Sequence, residues 1–255
     1  MRSDIWRRVG ALIRLNTSLL LREPGPIASR LIMPLVMITV LRPLYRAALA
    51  GMGVEAGTRQ VVSGMLVMFS LLALSVVGSA ILTERAWRTW DRLRATPGAS
   101  WELLLGKAVP SVMVLLAQQV LVLGCGAVLF GLPIANVGLL AVVVVVWVFT
   151  LLCLGMLLGA VARSHSELAV YYDLGGLTLT TLGGALLPLA MAPSWVRVLA
   201  PLSPGYWAMN SYGAALAADL PAMFRDLAVL LVLGIVAGSA AAWRITRGWG
   251  RSRLL

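Results

Sequence analysis

The chain has 255 residues, of which 60% are hydrophobic and 12% charged, and its mean hydropathy is +0.91. One soluble core cannot hide that much apolar surface, so lipid must be its solvent and a soluble enzyme or nucleic-acid-binding domain is excluded. The formal net charge of +11 comes largely from arginines set between hydrophobic runs, a positive-inside pattern rather than a compact basic face.

The first element is predicted to be a helix lying in the membrane interface. Ile5, Trp6, Val9, Leu12, Ile13 and Leu20 fall roughly on one side, with Arg7, Arg14 and Asn16 on others. Arg14, Asn16, Thr17 and Ser18 interrupt the apolar stretch and no A-x-A site follows, which argues against a cleaved signal. Residues 1–26 thus form a cytoplasmic interfacial helix, ended by Arg22-Glu23-Pro24-Gly25-Pro26. A first span, from about Ile27 to Tyr45, is bracketed by Arg30 and Arg42, whose long side chains are expected to reach toward opposite interfaces. The second, Gln60 to Leu82, is rich in small residues (Ser63, Gly64, Ser70, Ser75, Gly78, Ser79) that permit close helix packing.

The stretch from Glu84 to Lys107 is the longest charge-rich segment of the chain and separates two spans. As a helix it places Ala86, Trp90 and Leu93 at i, i+4 and i+7 with Trp87 beside them, while Arg85, Arg88, Asp91 and Arg92 point elsewhere. Glu84 and Arg88 add an i,i+4 pair, and Pro97 with Gly98 stops the helix. A basic juxtamembrane loop held inside by its charge is the simpler alternative to a docking helix over 84–100.

The third span runs from Trp101 to Phe130 with Gln118-Gln119 midway, and the fourth from Val137 to Ala162, where Gly155 and Gly159 form a small-xxx-small pair. Residues 163–167 make a second cytoplasmic loop. The fifth span, about Leu168 to Leu187, carries Gly176, Thr180 and Gly184 at i, i+4 and i+8, a strip suited to helix packing, to a subunit interface or to cargo contact. Asp173 lies less than two turns from the loop and is either an interfacial acid paired with an arginine or part of a transport path. From Pro188 to Asp226 prolines rule out one straight span, so short helices are expected near the outer surface, with Trp195, Tyr206, Trp207 and Tyr212 as an aromatic belt. Leu227 to Trp243 is the last span, with Gly234 and Gly238 as a further close-packing pair, followed by a basic tail. With six spans both termini fall on one side, and the arginine asymmetry puts that side in the cytoplasm.

Catalytic patterns fail on their spacing. Gly106-Lys107 superficially ends a phosphate-binding loop, but Ala108 stands in place of Ser/Thr and Trp101 in place of the first Gly. Tyr172-Asp173 lacks the second carboxylate that an intramembrane aspartyl protease shares a proton with. The single histidine, His165, is in a polar loop, and Cys125 and Cys153 sit far from it inside apolar runs, so neither nucleophilic catalysis nor a metal site is expected.

Two segments resemble a known family. The order Glu84-Arg85, Thr89, Leu93, Thr96-Pro97 and then Leu105-Gly106-Lys107 is similar to the loop after the second span in ABC-2 type transporter permeases, including drug and lipid exporters of the daunorubicin-resistance kind. Leu187-Pro188, Pro193-Ser194-Trp195 and Leu202-Ser203-Pro204 with Tyr206 resemble the re-entrant outer segment that precedes the last span of those proteins. The resemblance implies a single all-α polytopic transmembrane domain over residues 1–255: an interfacial helix, six spans and a broken re-entrant segment at 188–226. It also implies that Glu84, Arg85, Trp87, Arg88, Thr89, Trp90, Asp91, Leu93, Thr96 and Pro97 contact a separate ATPase subunit, which carries the ATP and Mg. A second permease copy or homologue would complete the pair in the cytoplasmic membrane. The cargo implied is an amphipathic drug, natural product or lipid, with lipid-linked polysaccharide or glycolipid as the alternative. A stand-alone secondary transporter or channel would need intramembrane ionisable pairs or inverted repeats, which the sequence does not display.

Overall fold

Lipid offers the backbone no hydrogen-bond partner, so a chain of this composition is driven to helices, and the computed structural model contains no strand among the residues it describes, 2–22, 24–53, 55–86 and 100–246. In chain order these are α1 (Arg2–Arg22), α2 (Pro24–Ala48), α3 (Ala56–Leu72), α4 (Leu74–Ala86), α5 (Ser100–Val128) and α6 (Val137–Val161). They are followed by α7 (His165–Val170), a π turn at Tyr171–Gly175, α8 (Gly176–Leu182), α9 (Ser194–Leu199), α10 (Pro204–Leu216) and α11 (Leu220–Thr246). Five stretches are long and apolar enough to cross a bilayer: Ala28–Ala48, Ala56–Thr83, Ala108–Phe130, Val137–Val161 and Leu220–Ile245. The chain is an all-α polytopic membrane protein.

Four boundaries differ from the sequence-based expectation, each for a local reason. The expected fifth span is an 18-residue helical run, His165–Leu182, that begins in the polar loop and is widened by the π turn. Its 18 residues reach the length of a short span, but His165, Glu167 and Asp173 lower its hydropathy, so it is not among the five apolar stretches. It starts early because the Ser164 Oγ accepts the Glu167 N–H at 3.1 Å and the Glu167 carboxylate accepts the Arg163 N–H at 2.7 Å, a capping arrangement inside what reads as a loop. It stops before Gly184, whose φ of +80° is left-handed, so Gly184 lies beyond the helix instead of continuing the strip from Gly176 and Thr180.

The prolines explain the other shifts. Pro24 and Pro26 open α2, where an N–H is not needed, so α1 ends at Arg22 and not at residue 26. Pro221 likewise sits in the first turn of α11, which makes the last span start at Leu220 and shortens the broken outer segment by seven residues from its expected end at Asp226.

The helix α3 occupies the middle of the bundle, with Val61, Val62, Met65, Leu66, Val67 and Leu71 fully buried. On another side, α6 is wedged between α4 and α11 by glycines. A Cβ on Gly159 would lie 2.6 Å from the Gly78 carbonyl oxygen, and one on Gly155 2.6 Å from Val77. Gly234 and Gly238 of α11 approach Phe149 and Cys153 in the same manner. Close backbone contact is the source of attraction here, because lipid tails are as apolar as the helix surfaces.

Polar side chains bond across the helices. The Trp147 Nε1 donates to the Ser70 Oγ at 2.9 Å, and the Thr150 hydroxyl donates to the Leu230 carbonyl at 3.0 Å. Two of the three arginines of α2, Arg30 and Arg42, bond to neighbouring helices. Arg30 donates to the Ser75 Oγ at 2.6 Å, and Arg42 donates to the Phe130 carbonyl at 2.7 Å with its guanidinium 5.7 Å from the Phe130 ring centre. A carbonyl left over at a helix end is a better partner for a buried guanidinium than distant water.

The turn that follows α8 is clamped to α2 and α3. Gln60 Nε2 donates to the Gly184 carbonyl at 2.7 Å and the Tyr45 hydroxyl to the Leu186 carbonyl. Between these bonds the Ala185 carbonyl oxygen lies only 2.1 Å from where a Cβ on Gly64 would stand. Gly64→Ala must therefore push the turn off α3 and is expected to cost about 1–3 kcal/mol. Gly124→Ala, at a site with nothing within 4 Å, serves as the control and is expected to be neutral or stabilising. The thermal unfolding midpoints of the purified variants check this.

Candidate functional site: the coupling region and the α7–α8 face

Most of the predicted docking helix, namely Trp87, Arg88, Thr89, Trp90, Asp91, Leu93, Thr96 and Pro97, lies outside the described residues. Glu84 and Arg85 belong to the last turn of α4, and α5 begins at Ser100, so both helices run up to the loop. Directly after the loop, α5 is met by α1. The Asn16 Nδ2 donates to the Leu12 carbonyl at 2.9 Å within α1 and to the Gly106 carbonyl of α5 at 3.2 Å. A Cβ on Gly106 would stand 2.7 Å from Leu12 Cβ, so the glycine of Leu105-Gly106-Lys107 is where the two helices touch. Val9 is buried, while Trp6, Leu15 and Leu19 are exposed, which leaves apolar flanks of α1 for lipid. Any displacement of the start of α5 therefore carries α1 with it.

The second predicted group divides when placed in three dimensions. Gly176 and Thr180 are buried and pack inside the chain: Gly176 faces Leu71 and Leu72 of α3, and the Thr180 hydroxyl donates to the Gly176 carbonyl at 2.6 Å. Gly184 is covered by Leu189 in the turn. Asp173 is on the opposite, exposed side, in the π turn, next to exposed Val170, Leu174 and Leu177. Among the described residues Asp173 has no ion-pair or hydrogen-bond partner, so the arginine partner expected for it is not found there. A carboxylate on an apolar helix face, in a turn type that clusters at functional positions, is suited to a water-filled space or a polar partner outside this chain.

Two features were not read from the sequence. Asp226 is 1% exposed and accepts from the Nε and Nη2 of Arg225 at 3.0 and 2.9 Å. Its neighbours Met223, Leu227 and Leu230 are buried at i, i+4 and i+7, a spacing that marks the inner face of a helix and so also places Asp226 there. Tyr212, expected in an aromatic belt, is fully buried and donates to the Gln119 Oε1 at 2.9 Å. No cluster of three or more His, Cys, Asp or Glu able to hold a metal ion occurs among the described residues. A small, mostly apolar cavity lies between α4, α5 and α6, next to Val77, Ile81, Ser111 and Met156.

The family model described as ABC-2 type transporter matches residues 7–216, from α1 through α10 and across the loop between α4 and α5. The chain belongs to the ABC-2 type transporter family. Two curated relatives, each described as a probable multidrug ABC transporter permease YbhR, one from Escherichia coli K12 and one from Escherichia coli O157:H7, are 25% identical over 185 residues. The aligned part covers 71% of this chain and 50% of each relative, so the chain spans about half the length of the curated relatives it matches. Family membership accounts for the architecture of multiple apolar helices, since ABC-2 permeases are transmembrane subunits.

In this ABC-2 family member the α1–α5 joint yields a direct expectation. Gly106→Leu places a side chain where Leu12 already is, so α1 must lift away from α5. Amide hydrogen exchange over Arg2–Arg22 should then accelerate several-fold in the purified variant while exchange in α6 stays unchanged.

Proposed function

We propose that the chain is the transmembrane permease subunit of an ATP-driven exporter that moves an amphipathic or hydrophobic cargo across the cytoplasmic membrane. The observation that carries the reading is the ABC-2 family match from residue 7 to residue 216. The description of the relatives as multidrug permeases favours drug-like cargo over lipid-linked sugars, the second candidate. ATP and Mg belong to a separate ATPase subunit, and a second permease copy or homologue faces the exposed side of α7–α8, where Asp173, Leu174 and Leu177 lie. Both termini are cytoplasmic on this reading, as is the loop between α4 and α5.

The packing suggests how force would travel. Closure of the ATPase pair pushes on the loop carrying Trp90, from which α4 and α5 lead away. On one side α4 is locked to α6 through Gly78, Gly155 and Gly159, and α6 to α11 through Gly234 and Gly238. On the other α5 carries α1 through Asn16 and Gly106. A push that spreads α4 from α5 would thus move two rigid groups of helices and change access to the space between permease copies.

Trp90→Ala removes an aromatic anchor from the proposed interface and is expected to cost at least ~2 kcal/mol, about a 30-fold loss of association with the ATPase subunit. Glu84→Arg should disturb docking register, whereas Arg251→Ala in the tail should change nothing. Co-purification and cargo-stimulated ATP hydrolysis are the measurements, and full association by both loop variants at normal abundance would reduce the loop to a topology signal.

Orientation has its own test. With Cys125 and Cys153 replaced, Ser100→Cys should react with an impermeant maleimide from the cytoplasm only, and Gly51→Cys, at an exposed and uncrowded site, from outside only. Reversed labelling would place the loop out of reach of any cytoplasmic ATPase.

A further inference from the structure

Gln119 is the midpoint of the Ala108–Phe130 span, eleven residues from either end, so Gln118 and Gln119 lie at the centre of the membrane. Both are 0% exposed. The Gln119 Oε1 is engaged, accepting from the Tyr212 hydroxyl of α10 at 2.9 Å. The Gln119 Nε2 and both amide atoms of Gln118 have no partner within the chain. An amide nitrogen carries two hydrogens, so the unpaired set is four N–H donors and one carbonyl oxygen, a group rich in donors and without formal charge. Polar groups held out of water are paired in native proteins, by the chain itself or by something bound.

On α10, Tyr212 is given to Gln119, the buried Ser211 hydroxyl beside it donates to the Trp207 carbonyl at 2.8 Å, and Ala208, Ala215 and Leu216 are apolar. Such a site does not suit a cation, which donors repel, nor a hydrocarbon, which leaves them unpaired. It suits a neutral molecule that offers oxygen lone pairs.

We propose that Gln118 and Gln119, with Tyr212, form a binding site for a neutral oxygen acceptor at the middle of the membrane. The oxygen comes either from bound water or from a carbonyl or hydroxyl group of the cargo. The water case stands on the geometry alone, whereas the cargo case rests on the exporter reading above. A broken helix that reaches midplane polar groups is an arrangement by which membrane proteins admit polar ligands while keeping the backbone satisfied.

X-ray radiolysis footprinting of the full chain in lipid nanodiscs tests this, because hydroxyl radicals born from bound water oxidise the side chains beside it. Trp147 is the internal control: it is also 0% exposed, its indole is the more reactive ring, and its N–H is paired with Ser70. Oxidation of Tyr212 several-fold faster than Trp147, lost in Gln118→Leu, is the expected result. Repeating it with Nile red, a neutral dye with a carbonyl, and with diphenylhexatriene, a hydrocarbon of similar partitioning, separates the two sources. Protection of Tyr212 by Nile red alone assigns the site to cargo oxygen, and no protection by either assigns it to water. A Tyr212 as silent as Trp147, protection by both dyes alike, or labelling that survives Gln118→Leu unchanged overturns the proposal. The wild-type measurement stands even if the variant does not fold, and a water result leaves the site intact whether or not the exporter reading survives.

Discussion

The bundle depends on how closely two backbones can approach when nothing but van der Waals contact draws them together. At the α4–α6 crossing the Gly78 carbonyl oxygen occupies space that any larger residue at position 159 would need. In water a bundle gains stability by removing apolar side chains from solvent, but in lipid that gain disappears and contact density has to replace it. The glycines at 78, 155 and 159, and at 234 and 238, are therefore the framework of this protein in the sense that leucines are the framework of a soluble one. They also make α6 the common wall of two helix pairs, and its interior polar residues bond to two different helices, Trp147 to Ser70 of α3 and Thr150 to Leu230 of α11.

A second constraint follows from the same solvent. Every donor removed from water needs an acceptor, and the carbonyls that helices leave unpaired at their ends supply one. Arg42 uses the end of α5, Arg244 donates to the Ala160 carbonyl at 3.1 Å near the end of α6, and Gln60 and Tyr45 use the turn after α8. Charge in this chain is thus spent as much on joining helices as on setting topology. The start of α10 is tied back to α8, since the Ser203 Oγ both donates to the Leu179 carbonyl at 2.6 Å and accepts the Gly205 N–H at 3.0 Å.

What was legible in the sequence was whatever depends on mean hydropathy or on spacing along one helix. Five spans, a helix at the start of the chain and the glycine pairs at 155/159 and 234/238 follow from those signals. What escaped depends on contacts between residues far apart in sequence. Whether an arginine reaches outward or inward is decided by Ser75 or Phe130, 45 and 88 residues away, and no local pattern contains that. Tyr212 reads as an interfacial aromatic until α5 is brought beside it with Gln119. Prolines misled in the opposite direction: Pro24 and Pro221 are helix breakers by composition but helix starters by position. Of the candidate site residues, Asp173, Gly176 and Thr180 share one helical stretch as expected, yet the π turn and the packing of α3 put the acid on one side and the small residues on the other.

The contact of Asn16 with Gly106 has a bearing on how the molecule is made. The two residues are 90 positions apart, and at about 5–20 residues per second the ribosome takes roughly 5 to 20 s to deliver the second after the first. During that interval α1 lacks its main partner, and Leu12, which ends up against α5, is in the same position as Trp6 and Leu15, which stay exposed. The amphipathic pattern of α1 then bears on assembly as well as on the finished fold, because a helix with an apolar side can wait at a membrane surface until Gly106 emerges.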